Sequence, residues 1–478
     1  MNISCHIKFI FVIFALLLFP GCYKYRNTIK KETASLRTKT EEAINYDIDL
    51  DLVNKTEGQL SEDDTITVYA AVYQSIMGDY LLKSLLEQMG MSKADFAQAG
   101  YFGNPTLNFN ITYPKGVGFL IFNYGFFGMN LNDFWQIPRK KKLAKTELEI
   151  ATVSALNRIL EIKADVETAY FAYLFEKMQL ATAEKMETFR KKMQKNNSSD
   201  TSEDQNSYTH LIEQITNEIH LIEQQRTLEA ATLDLRGAIG LQMNKNPIRV
   251  VQDEWQLLFE TIPSPEKLFA YAKEQQPNIQ IARMRIVEAQ QQQAVARSKI
   301  FDNVQGGLGF FTTFGTPACQ SVVDGQLTPF PATKTYVDLG PYVTMPIPLF
   351  DQQQAAIEKA KRQEGKARYD LKNLEGALEG EIYILYTNIV ATRDKITKYK
   401  DKIMPAIDQS LKHAPNSEAN PPDNFFASFS QLIDQEYLMN AEYKNLATQI
   451  IALEKIIGGS IGHVLAKKSN SAILYNAD

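Results

Sequence analysis

Cysteine is scarce in this chain. Three residues in 478 cannot build a disulfide scaffold, and no two of them sit at zinc-ligand spacing. A basic excess is also missing. The 51 Lys and Arg face 56 Asp and Glu, a net charge of −5, which excludes the cationic footprint of a nucleic-acid binder. Beyond the first 21 residues no stretch holds 18 consecutive apolar residues. A spanning α-helix is thereby excluded, and a closed β-barrel is left as the way to cross a bilayer. No phosphate-cradling loop is present. Gly306-Gly307-Leu308-Gly309 lies within a strand pattern rather than before a helix, so it reads as close strand packing or a bend. His210 and His220 fall roughly 80° short of a shared helix face, and His413 and His463 are isolated. No catalytic set, metal site or cofactor is expected, and the chain does not read as an enzyme. With 22% charged and 44% hydrophobic residues, wholesale disorder is excluded too.

The N-terminus reads as a signal peptide over residues 1–21. Lys8 supplies the positive end, and Phe9 to Phe19 is an unbroken apolar run too short to span a bilayer. Gly21-Cys22 follows directly. A small residue before Cys at this place marks a bacterial lipoprotein site, so Cys22 is the expected lipidation (palmitate) residue. Ordinary cleavage nearby, with Cys22 incidental, is the competing reading. Residues 22–64 are polar and charged and read as a lipidated, flexible tether.

The strongest signals after that are long helices. Arg139 to Lys195 contains neither Gly nor Pro. At about 1.5 Å per residue such a helix runs roughly 85 Å, against an average of about 11–12 residues in globular proteins. Ser207 to Arg236, Asp423 to Ile457 and Asp351 to Met404, the last interrupted only by Gly365, Gly376 and Gly380, are similar runs, rich in Ala, Glu, Lys and Gln. They predict antiparallel coiled-coil hairpins that bury a narrow seam. Their turns are expected at Asn196 to Asn206 and His413 to Pro422, both polar.

Strand signals separate the helices. Thr106 to Tyr113 alternates strictly, with Leu107, Phe109, Ile111 and Tyr113 on one face. Val117 to Trp135 is longer and aromatic-rich. Val304 to Phe314 and Val337 to Ile347 form a second pair. Segments of about ten residues with one apolar face suit an outer-membrane barrel, as they also suit a half-buried soluble sheet.

The two halves repeat. Ala71, Ala97 and Asn104 match Ala270, Ala296 and Asn303 at a constant offset, Ile137-Pro138 matches Ile347-Pro348, and Leu211-Ile212-Glu213-Gln214 matches Leu432-Ile433-Asp434-Gln435. The expected plan is a first repeat over 65–240, a connector over 241–264, a second repeat over 265–459 and a C-terminal tail over 460–478. Each copy reads helix, two strands, long helix, turn, long helix. Four strands per chain cannot close a barrel, since the smallest membrane barrels have about eight. Two copies would supply about eight strands and three about twelve.

At this point the residues resemble the TolC-like family of outer-membrane efflux channels, in its lipoprotein form, over roughly Thr65 to Gly459. The resemblance rests on Ala94 to Pro105 (ADFAQAGYFGNP), Met345 to Asp351 (MPIPLFD), Val166 to Leu174 (VETAYFAYL), and Leu432-Ile433-Asp434 followed by Leu453-Glu454 and Gly458-Gly459. It implies a mainly α chain with membrane β-strands, assembled as a homotrimer. A trimeric β-barrel in the outer membrane would be continued by an α-helical barrel. It also implies a periplasmic adaptor and an inner-membrane pump as partners, with no nucleic acid. The implied function is the exit duct of a tripartite efflux system for small molecules or metal ions. Two alternatives stay open: the outer-membrane component of type I protein secretion, and a structural coiled-coil lipoprotein without a pore.

Site residues follow from the same resemblance. Family members narrow at the periplasmic tip, where rings of carboxylates line the mouth. Asp434 matches the second of two such aspartates, the first falls at Gln431, and Glu213 is the repeat equivalent of Asp434. Three copies of one carboxylate in a narrow mouth favour cations; solvated helix-face charges are the plain alternative. Phe134, Trp135, Tyr336 and Tyr342 are candidates for the aromatic girdle at the membrane interface, with core packing as the competing role. Arg139 to Lys142 places four cations near a helix start, where the helix dipole disfavours them.

Overall fold

A computed structural model describes residues 65–107, 110–112, 120–197, 205–241, 248–251, 261–314, 320–323, 326–329, 336–406, 409 and 423–462. Among the described residues, eight long or short α-helices follow in order: α1 (Val68–Gly78), α2 (Tyr80–Gln98), α3 (Asp133–Asn197), α4 (Gln205–Ile239), α5 (Pro265–Gln275), α6 (Pro277–Ser298), α7 (Gln354–Lys398) and α8 (Asp423–Ile457). A π-helical turn, Tyr399–Ile403, follows α7. Each half therefore runs two short helices, strands, then two long helices.

The short helix pairs show how a repeat is written in local chemistry. One residue separates α1 from α2, and one separates α5 from α6. Asp79 donates its N–H to the Ser75 carbonyl while its Oδ1 accepts from the N–H of Leu82. Gln276 donates to the Ala272 carbonyl at 2.9 Å while its Oε1 accepts from Ile279 at 2.7 Å. Each residue closes one helix and caps the next. Pro265 and Pro277 stand first in their helices, where proline needs no donor.

The chain divides into two compact units, each drawn from both halves. The first comprises the described residues within 65–87, 152–281 and 371–462. Its core is a set of helix seams. In α8, Ile433, Asn440 and Ala447 are buried seven residues apart, as are Tyr443, Ile450 and Ile457. In α7 the buried positions are Leu378, Ile382, Ile389, Thr392 and Ile396. Both are a/d spacings of a coiled coil, as the composition of these segments predicts. Thr392 donates to Gln449 Oε1 at 3.2 Å and Lys395 pairs with Glu442 at 2.9 Å across them. The motif Val166 to Leu174 has a clear structural use here. β1 (Thr65–Ile66) pairs in parallel with β5 (Arg249–Val250). The Tyr170 hydroxyl, fully buried, faces the carbonyls of Ile66 and Val251 at 3.2 and 3.1 Å, and the Tyr173 hydroxyl donates to Ile248 at 2.8 Å. The two tyrosines tie both strands to α3.

The second unit comprises residues 88–151 and 282–370. It holds an antiparallel sheet in which β2 (Thr106–Leu107) and β3 (Asn110–Thr112) both pair with β4 (Leu120–Asn130). β4 pairs with β6 (Gln305–Phe314), and β6 with β9 (Tyr336–Thr344). One row across the sheet reads Thr106, Gly128, Gly307, Tyr342. A Cβ on Gly128 would lie 2.5 Å from the Tyr342 Oη. Gly128 thus leaves room for the Tyr342 side chain to reach across the sheet, and within the glycine-rich pattern a Cβ on Gly306 would lie 2.8 Å from Leu131 Cδ1.

The structure departs from the sequence expectation in three places. Among the described residues the sheet's five strand segments fill four positions. A β7–β8 hairpin (Gln320–Val323 with Gln326–Pro329) and the β1–β5 pair stand outside it. α3 begins at Asp133, so Phe134 and Trp135 are helical rather than the end of a strand. Pro138 lies inside α3, where its missing N–H leaves the Phe134 carbonyl without its helical donor. The hairpin turns at Asn196 to Asn206 and His413 to Pro422, the tether and the tail lie wholly or largely outside the described residues.

Candidate functional site

Two regions carry the candidate residues. The first is the junction at which β4 becomes α3 and α6 becomes β6. Asn132 is buried and acts in three directions. Its N–H donates to Asn130 Oδ1 at 3.2 Å, its amide nitrogen to Asp302 Oδ1 at 3.1 Å, and its amide oxygen accepts from Val304 at 3.1 Å. Gln136 adds a bond to Asp302 at 3.2 Å. The Trp135 indole donates to the Ser298 carbonyl at 3.2 Å. Asp133 accepts from the N–H of Gly103 at 2.6 Å. These bonds fix the first turn of α3 against the end of α6. Phe134, by contrast, is 61% exposed and meets Phe102 edge-on at 5.4 Å. Trp135 thus has its polar handle bound within the chain, whereas Phe134 faces outward. Tyr342 stands half-buried over the glycine row. Tyr336 begins β9, and its side chain lies outside the described residues.

The second region is the start of α8. Gln431 and Asp434 are both exposed, three residues apart on one helix face, while Ile433 turns into the packing. Tyr437 lies one turn beyond Asp434. Burial, and then the Asp434 carboxylate, push its hydroxyl up to about 12. Its ring meets His220 of α4 edge-on at 5.2 Å. On the other flank Glu436 accepts from Lys185 at 3.3 Å, and Asn440 donates to Thr182 of α3 at 3.4 Å. α8 is thus held from two sides and leaves the Gln431–Asp434 face open. Glu213 lies on α4, with its side chain outside the described residues, as is Cys22 altogether.

A third cluster gave no signal in the sequence. Lys163 of α3 pairs with Glu454 of α8 at 2.8 Å and with Glu167 at 3.6 Å, all three poorly exposed. Burial raises Glu167 to about 7; Lys163 opposes the shift and Glu454 adds to it. The second oxygen of Glu454 accepts from the N–H of Ile461 at 3.0 Å. Lys163 and Glu454 are 291 residues apart, and no local pattern links them. No group of His, Cys, Asp or Glu able to hold a metal occurs among the described residues, and no described helix is long and apolar enough to cross a membrane.

Comparison with solved structures gives this arrangement its context. CusC, described in connection with transmembrane channel formation, superposes with a TM-score of 0.61 at 13% identity. The match covers 87% of this chain and 99% of that one. The fold is that of the TolC-like outer-membrane channels. The outer-membrane channel OprN gives a TM-score of 0.59 at 14% identity, over 88% and 97% of the two chains. The open state of the Neisseria gonorrhoeae outer-membrane channel MtrE gives 0.56 at 14%, over 82% and 89%. No family model matches the chain, and no curated protein sequence does. In this TolC-like fold the MPIPLFD motif makes the strand-to-helix turn before α7. Leu349 donates to the Ile347 carbonyl at 2.9 Å, and Asp351 Oδ1 accepts from Gln353 at 2.8 Å, holding that residue at φ 60°.

Proposed function

We propose that the chain is the outer-membrane exit duct of an efflux system. It would act as a passive conduit powered by an inner-membrane pump and joined to it by a periplasmic adaptor. The observation that carries this reading is the sheet. Its outer strands, β9 on one side and β2 with β3 on the other, pair with nothing further among the described residues. An open sheet edge in lipid leaves backbone groups unsatisfied, so the sheet needs other copies. In three copies the β9 edge of one would meet the β2–β3 edge of the next, closing a cylinder of about twelve strand positions. The long coiled-coil helices would continue that cylinder into the periplasm.

The remaining roles follow from this assembly. Residues 65–240 and 265–459 are the two repeats, joined by 241–264, with 460–478 as a tail. Cys22 carries the lipid after removal of residues 1–21, and 22–64 is the tether. Asp434, with Gln431 and Glu213, lines the periplasmic mouth. Phe134 and Tyr336 stand at the membrane interface with Trp135 and Tyr342. Native mass spectrometry of the full chain, extracted from membranes in mild detergent, tests the assembly. The expected species is three times the mass of the processed, acylated chain; a monomer alone would favour the pore-free scaffold.

A further inference from the structure

We infer that the β4–α3 junction is a docking surface for acidic phospholipid headgroups in the leaflet beside the strand ends. This rests on the outer-membrane barrel reading and names the lipid chemistry that the barrel's rim selects. Four consecutive cations, Arg139 to Lys142, follow the end of β4 by nine residues. Arg297 and Lys299, both exposed, end α6 just before β6. The bonds from Trp135 and Gln136 to the Ser298 carbonyl, at 3.2 and 3.4 Å, join these segments. Six cations are therefore held on one rigid junction.

Two carboxylates of that junction, Asp302 and Asp133, take their hydrogen bonds from neutral donors and offset only part of the six positive charges. Asp302 is held by the amides of Asn132 and Gln136, and Asp133 by the N–H of Gly103. Arg139 donates to the Trp135 carbonyl at 2.6 Å, and Lys141 stands 5.4 Å from the Phe96 ring. No ion pair to Lys140 or Lys142 occurs among the described residues. α3 starts at Asp133, so these cations lie beyond its first turn, where the helix dipole has little effect on them.

The order of side chains along the chain matches a bilayer edge. Phe102 and Phe134, exposed and in edge-on contact, come first, at the strand end. The cations come five to eight residues after Phe134, roughly 7–12 Å along α3. The polar zone of a leaflet is about 5–8 Å thick, and lysine side chains reach back along their stems. Clusters of four to eight cations beside a membrane segment attract anionic headgroups, each contributing to the same screened field. Lys and Arg bind the phosphate itself, and a net negative headgroup lacks the choline ammonium that would repel them.

The test uses the full chain reconstituted in phosphatidylcholine vesicles, with spin-labelled phosphatidylglycerol or spin-labelled phosphatidylcholine as probe. The motionally restricted fraction of each is read by electron spin resonance. Phosphatidylglycerol should be enriched about threefold over phosphatidylcholine at low salt, and the enrichment should fall towards unity in 1 M NaCl. It should fall likewise in a variant carrying K140Q, K141Q, K142Q, R297Q and K299Q. A control carrying K361Q, K366Q and K372Q on α7 should keep it. Both variants are first checked for native helicity and oligomer mass. Equal restriction of the two lipids, or an enrichment that survives the five substitutions, overturns the proposal while leaving the barrel intact. No restricted lipid of either kind would instead count against the barrel itself.

Discussion

Glu167 shows what a buried charge does when one lysine serves two carboxylates. In the unfolded chain it titrates near its ordinary value of 4.5, and in the folded chain near 7. Between those values the folded state holds a proton that the unfolded state has released. The contribution of this group to stability is therefore complete below about pH 4.5, and declines as pH rises to 7 by about 3 kcal/mol. Glu167→Gln should flatten that decline and stabilise the protein at pH 8, as denaturant melts of the detergent-solubilised chain at pH 5 and 8 would show. An unchanged pH slope would remove Glu167 from the account. Gly458 is a second test at this scale. It ends α8 at φ +76°, its N–H and that of Gly459 both reaching the Glu454 carbonyl, and a Cβ there would lie 2.7 Å from the Gln276 Cα. Gly458→Ala combines left-handed strain with a backbone clash, and should cost about 2–3 kcal/mol. Gly240→Ala, at φ +80° with nothing within 4 Å, should cost less, about 1 kcal/mol. Thermal melts of the two variants side by side separate strain from clash.

Elements were legible in the sequence to the extent that their cause is periodic. The length and composition of α7 and α8 predict a narrow buried seam, and the structure supplies its heptad register; α8 runs over Asp423 to Ile457 as read from the residues. The start of α3 was not legible, because Phe134, Trp135 and Pro138 locally resemble a strand and a stop. What overrides them is tertiary: Asn132, Gln136 and Trp135 bind Asp302, Val304 and Ser298, more than 160 residues away. The same reason hides the Lys163–Glu454 pair. The aromatic motif in α3 was visible as a resemblance, and its purpose only as a set of bonds. Tyr170→Phe removes the one side chain that serves the carbonyls of Ile66 and Val251. It should destabilise the protein by about 1–2 kcal/mol with little change in helicity, measurable as a shift in denaturation midpoint at constant slope. Asn132→Ala should do more, about 2–3 kcal/mol, because it strands the N–H of Val304 at the junction and removes one of the two amides that hold Asp302. A neutral effect would mean that the junction is not held as described.

At the scale of the whole molecule, the sheet has open edges among the described residues and the long helices bury only a narrow seam, and the proposed cylinder of several copies would complete both. The exposed face of Gln431 and Asp434 would then be repeated around an axis. A ring of Asp434 carboxylates favours cations, although a single ring is weaker than the double ring that an acidic residue at 431 would give. Asp434→Asn should lower the cation-to-anion permeability ratio without altering oligomer mass, as reversal potentials under a salt gradient would show. The central claim is that this protein conducts, and the measurement that meets it most directly is current through planar bilayers containing the purified full chain. The account predicts discrete, long-lived current steps with a preference for cations. A folded, bilayer-inserted protein that never passes current would contradict it and leave the helical scaffold as the better description.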